Sequence, residues 1–254
     1  MNFKDIMIAA TLIFVSAVTS FGCSSTTPVP HDGLTIDLPQ HSATVPAERL
    51  DQQWWEQRHA GVLDQVDDTD PDIVLIGDSI THGWDRQMDI WNAHFGDYDM
   101  VNMGFSGDRT QHVLWRFDHG EIDGISPEAA MIMIGTNNSN RADNTAQEIG
   151  DGIVAICATL RARLPETQLL LLAVFPRGET PSDQRVKNDT ASAIAAQFAE
   201  SDPMIHYLDI SSAFLTDDGT LPVEVMPDLL HPNGRGYSIW AAAVEEKLNE
   251  LLED

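Results

Sequence analysis

PDIVLIGDSITHGW, residues 71–84, is the stretch whose reading decides the fold. A nearly continuous apolar run ends in Gly77-Asp78-Ser79, and a turn and then a helix follow. Apolar character without alternation fits a strand buried on both faces, as in a parallel sheet covered by helices. The same stretch poses a chemical question. Ser79 is either an ordinary hydroxyl at a strand end or a nucleophile, and one serine does not decide between them.

Working outward, similar short runs recur at 100–104 (MVNMG), 129–135 (AAMIMIG), 168–175 (QLLLLAVF) and 204–210 (MIHYLDI), separated by helical segments. The alternation predicts right-handed crossovers and a three-layer α/β/α sandwich in one domain over residues 46–254. PAERLDQQWWEQRHAGVLDQV, from Pro46, reads as a leading amphipathic helix with Trp54 and Trp55 as packing anchors. Residues 23–45, rich in Pro, Ser, Thr and Gly, read as a flexible tether.

The first 22 residues carry a short positive start and an apolar run too short to span comfortably as a stable helix, the pattern of a secretory signal peptide. Cys23 follows at once, and Gly-Cys-Ser-Ser resembles a bacterial lipoprotein processing site, with Ser20 and Phe21 departing from its usual residues. The expectation is an exported chain, anchored to a membrane through a lipidated Cys23 or otherwise periplasmic or secreted. Cys157, the second of two cysteines, lies in an apolar helical stretch and reads as a small buried hydrophobe.

The chain has 254 residues, and 40 acidic against 14 basic side chains give a formal net charge of -26. Such a field repels phosphate backbones and argues against nucleic-acid partners. The nine histidines form no His-Glu-x-x-His spacing, so a zinc hydrolase has no support.

Functional groups of such folds gather at the carboxyl ends of strands. Three strand ends carry suggestive residues: 77–79 (GDS), 104–108 (GFSGD) and 135–138 (GTNN). Near the C-terminus Asp228 precedes His231 by three residues, a spacing at which a carboxylate can fold back onto an imidazole. His231 would then act as base toward Ser79, or simply start the helix before Pro232. The backbone N–H of Ser79, Gly107 and the side-chain amide of Asn137 are candidate oxyanion donors. Turn and capping roles remain open for the last two. Asp78 reads as a hydrogen-bonding turn residue and His112 as a packed helix residue. His82 either lines the pocket mouth or serves the surface, and Arg177 either positions substrate or pairs with a neighbouring acid.

The four ordered blocks GDS, G-x-x-GD, GTNN and D-x-x-H resemble the SGNH (GDSL-type) hydrolase family. Residues 102–138, 176–188 (PRGETPSDQRVKN) and 228–237 (DLLHPNGRGY) are most similar to the catalytic subunits of the intracellular platelet-activating factor acetylhydrolases. The likeness covers residues 48–252. It implies a flavodoxin-like sandwich with a five-stranded parallel sheet and no metal or organic cofactor. It also implies Ser79 as nucleophile, His231 as base, Asp228 as its orienter, and an oxyanion hole of Ser79, Gly107 and Asn137. Ile80 and Leu230 would narrow the acyl pocket toward acetyl and other short acyl groups, with a small-molecule or glycan acetyl ester as substrate. A broader arylesterase or lysophospholipase, or a surface binding protein without turnover, are the alternatives. The Gly-x-Ser-x-Gly elbow of α/β-hydrolases is missing at Ser79, which disfavours that larger fold. Oligomeric state is not legible.

Overall fold

A computed structural model describes residues 26–31, 34–141 and 143–253. The expected signal peptide and Cys23 lie outside the described residues. The described chain begins with a small antiparallel pair, β1 (Thr26–His31) and β2 (Leu34–Pro39), followed by helix α1 (Gln53–Asp68). The main sheet then takes β3 (Ile73–Gly77), β4 (Met100–Gly104), β5 (Ala129–Met133), β6 (Gln168–Leu172) and β7 (Ile205–Leu208). All pair in parallel, in the order β4-β3-β5-β6-β7. This is the doubly wound order whose crevice opens where the connections reverse, beside β3.

The apolar runs form strands because both faces of the sheet are covered. Val74 and Ile76 of β3 enter one core, and Ile73 and Leu75 enter the other, as a period of two requires. The first core lies under α1, α4 (Thr110–Phe117), α5 (Ala146–Arg163) and α6 (Asp183–Ala199). The second lies under α3 (Met88–Phe95), the short α7 (Ser211–Phe214) and the closing α8 (Gly234–Glu253), around Trp84, Trp91, Phe175 and Trp240. The expected three-layer α/β/α sandwich with a five-stranded parallel sheet is what the chain forms. Strand β7, at the sheet edge, is buried only at Ile205.

Two expectations need correction. The leading helix starts at Gln53 rather than at Pro46. Residues 46–52 are instead tied across to α4 and the β4 loop: Ala47 donates its N–H to the Gln111 carbonyl, and Arg49 reaches the Ser106 carbonyl and Asp108. The segment read as a tether also has structure. Leu38 of β2 is buried, as are Ala43 and Thr44 beyond it. Thr110 donates its hydroxyl to the Ala43 carbonyl, Asn144 donates to Ser42 Oγ, and His41 meets Asp151. Polar and backbone contacts dock this strap, so no hydrophobic period announces it.

Candidate active site

Strand β3 ends at Gly77, where a Cβ would come within 2.5 Å of the Met133 carbonyl oxygen and 2.1 Å of Thr81 Oγ1. Only glycine lets the chain turn back so closely. Ser79 then opens the one-turn helix α2 (Ser79–His82). Asp78 caps that turn, its Oδ1 accepting the Ile80 N–H at 3.0 Å. Burial pushes the Asp78 carboxyl up to about 7. From the far end of the chain, Tyr237 donates its hydroxyl to the Ile80 carbonyl at 2.6 Å. The seryl residue is thus held from behind on two sides.

The Asp228–His231 turn faces it. Asp228 Oδ1 accepts the backbone N–H groups of Leu230 at 3.1 Å and His231 at 2.7 Å. Its Oδ2 lies 2.6 Å from His231 Nδ1. Slight burial works upward on the Asp228 carboxyl, but hydrogen bonds from His231 prevail and hold it below the ordinary carboxylate range. Leu229, between them, has a φ of +60°, a left-handed conformation that is strained for a leucine. His231 Nε2 lies 2.8 Å from Ser79 Oγ. A carboxylate accepts from Nδ1–H, which leaves Nε2 bare to accept the seryl proton. The arrangement can therefore deprotonate Ser79 and stabilise the resulting imidazolium.

The third side is the loop after β4. Gly107 sits at φ +78°, with the Arg49 guanidinium packed where a Cβ would project. Asp108 is fully buried and accepts from Arg49 Nη1 at 2.9 Å, Trp55 Nε1 at 2.8 Å and Arg116 Nε at 3.0 Å. Its backbone carbonyl accepts one N–H of the Asn137 amide at 2.9 Å. That bond orients Asn137 and leaves the second N–H of its amide for another acceptor. Asn138, next in sequence, is buried and bonds Thr110, Gln111 and Asn144. The two asparagines of GTNN therefore do different things.

Ile80 is 1% exposed within the second core, and half-buried Leu230 packs against that core. His82, left open between pocket mouth and surface, is half-buried with its Nδ1 2.9 Å from Ser106 Oγ and 3.3 Å from the Ser106 N–H. Burial, reinforced by Arg58, lowers it to about 4, so it is a neutral acceptor clasping the β4 loop to α2. His112 Nδ1 accepts the Arg109 N–H at 3.0 Å, and burial lowers it to about 3. Arg177 bonds the Thr136 carbonyl and hydroxyl and the Asn140 side chain rather than a carboxylate. Sequence reasoning missed Arg49, Arg116 and Tyr237, since polar residues on amphipathic segments read as solvated until a buried partner is seen. Among the described residues, no group of three or more His, Cys, Asp or Glu is placed to hold a metal.

Comparison with known proteins sets this geometry in a family. Residues 75–239 match the GDSL-like lipase/acylhydrolase family. The chain is 34% identical over 204 residues to the alpha2 subunit of platelet-activating factor acetylhydrolase IB from Rattus norvegicus, covering 80% of this chain and 87% of that one. Among solved structures, a GDSL-like lipase from Bacteroides thetaiotaomicron superposes with a TM-score of 0.64 at 22% identity, covering 76% of this chain and 97% of the other. A carbohydrate acetylesterase from Sinorhizobium meliloti shares the fold with a TM-score of 0.56 at 14% identity, covering 70% and 98%. The chain belongs to the GDSL-like lipase/acylhydrolase family and is a carboxylic ester hydrolase.

Proposed function

We propose that the chain hydrolyses short-chain esters, chiefly acetyl esters of carbohydrates, by an acyl-enzyme mechanism with Ser79 as nucleophile. The observation that carries this reading is the continuous relay from Ser79 Oγ through His231 to Asp228, at 2.8 and 2.6 Å. His231 Nε2 takes the Ser79 proton as Oγ attacks the ester carbonyl carbon, and Asp228 stabilises the imidazolium. The oxyanion meets the backbone N–H groups of Ser79 and Gly107 and the second N–H of Asn137. Collapse expels the alcohol, which takes its proton from His231. Water, deprotonated by His231, then attacks the acetyl-Ser79 ester, and a second collapse frees acetate and Ser79.

The acetyl preference rests on the family likeness and on half-buried Leu230, the branched side chain beside the base. Ile80, 1% exposed, packs into the second core instead of facing an acyl site. The carbohydrate alcohol rests on the expected export of the chain and on a fold relative that is a carbohydrate acetylesterase. Export through residues 1–22 and lipidation of Cys23 belong to the same proposal, tested by the mass and detergent partitioning of protein made in a bacterial host.

Rates on acetyl, butyryl and octanoyl esters of one alcohol test the acyl half, and an octanoyl optimum would overturn it. Acetylated xylan against lysophospholipid tests the alcohol half. Turnover of the lysophospholipid alone would point to the lipolytic alternative, and no turnover of any ester to a binding protein.

A further inference from the structure

We infer that Arg185, on a helix away from the reacting atoms, is a positioning residue that fixes the turn carrying Asp228 and His231. The inference rests on the triad reading above. Arg185 lies in the first turn of α6 and is buried at 6% exposure. Its partners are backbone carbonyls: Nε donates to Arg177 at 2.7 Å, Nη1 to Gly219 at 2.6 Å, and Nη2 to both Gly178 and Glu179. A guanidinium is a rigid, donor-only fork, so four carbonyls around one plane leave the 177–179 loop a single shape.

That loop holds the turn. The Gly178 N–H donates to the Leu229 carbonyl at 2.7 Å, and Leu221 N–H bonds the Glu179 carbonyl at 2.8 Å. Leu229 is the residue with left-handed backbone between Asp228 and His231. Strain of this kind persists only where the surroundings impose it. The Asp228 and His231 side chains, with exposures of 57% and 41%, have little packing of their own to impose it. The turn is also held by the Leu229 N–H on the Met226 carbonyl, by the Asp228 Oδ1 bonds to Leu230 and His231, and by Leu229 and Leu230 packed on the second core. The bond from Gly178 is the one that reaches the Leu229 carbonyl, and Arg185 shapes Gly178.

Lysine keeps the charge of Arg185 but cannot span the four carbonyls. In Arg185→Lys and Arg185→Met, kcat on an acetyl ester, counted per site titrated by a fluorophosphonate, should fall about 10- to 100-fold, the scale of an ångström of misplacement. KM should change less than about threefold. Adding Leu229→Asn, whose side chain tolerates left-handed backbone, should return part of the loss in Arg185→Lys. An unchanged kcat per titrated site, or a loss that Leu229→Asn does not relieve, overturns the inference. Should the Arg185 variants not fold, hydrogen exchange of the wild-type chain decides: a Gly178 amide protected like the sheet interior supports the restraint, and exchange at the rate of an open loop overturns it. Full activity in Ser79→Ala would overturn the triad reading itself. An inactive Ser79→Ala beside fully active Arg185 variants would overturn only the role of Arg185.

Discussion

The two sides of the active-site cleft are built differently. On one side, Ser79 and the Gly107 loop rest on buried groups: Asp78 under the turn, Tyr237 behind Ile80, and Asp108 clamped by Arg49, Trp55 and Arg116. On the other, the Asp228–His231 pair is largely open to solvent and sits on a turn with one left-handed leucine. Buried, hydrogen-bonded polar groups are costly to disrupt, whereas exposed ion pairs contribute little to stability. Damage to the first side should therefore appear as lost stability or lost chemistry, and damage to the second as lost chemistry alone.

The largest expected effect is that of Ser79→Ala, which removes the proposed nucleophile. Ester hydrolysis should drop by about 10⁴-fold or more while the melting temperature stays nearly the same. On the exposed side, Asp228→Asn should lower kcat by about 10²–10⁴, through the wrong imidazole tautomer, and leave stability within about 1 kcal/mol. An equal loss of stability in that variant would erase the distinction between the two sides. Asn137→Ala should lower kcat about 10²–10³-fold, the effect of one lost oxyanion donor.

Asp108→Asn probes the buried counterpart of Asp228. It leaves Arg49 without its carboxylate and Arg116 with Glu121 alone, and unfolding in urea should show a loss of about 3 kcal/mol. The last effect concerns pH. The folded-state value of Asp78 is raised by burial from 3.8 to about 7, so between those values the folded chain binds more protons than the unfolded one. Stability from this group therefore falls as pH rises through that window. Asp78→Asn, which keeps the acceptor for Ile80, should flatten the decline, and an unaltered slope of stability from pH 4 to 7 would argue against a neutral Asp78.

What the sequence shows and hides follows the same division. The strands at 73–77, 129–133 and 168–172 are legible because both sheet faces are covered and their apolar runs are unbroken. Ser79, Asp228 and His231 are legible as motif residues, and the structure brings them together across 152 positions of sequence. The strap at 37–52 is not, since hydrogen bonds to Thr110, Gln111 and Asn144 dock it without any apolar period. Arg185 stands in DQRVKN among other polar residues, and nothing in that string marks its side chain as buried. A cation reads as solvated until its carbonyl acceptors, from loops 177–179 and 219, are brought around it.

The central claim is that one hydroxyl, armed by His231, carries the chemistry, and irreversible phosphonylation tests it most directly. Treatment with a fluorophosphonate, followed by peptide mass mapping, should place a single adduct on Ser79. Activity should be lost in proportion to it, and His231→Ala should be labelled far more slowly. Inactivation with the adduct on another residue, or full activity with Ser79 wholly modified, would contradict the account.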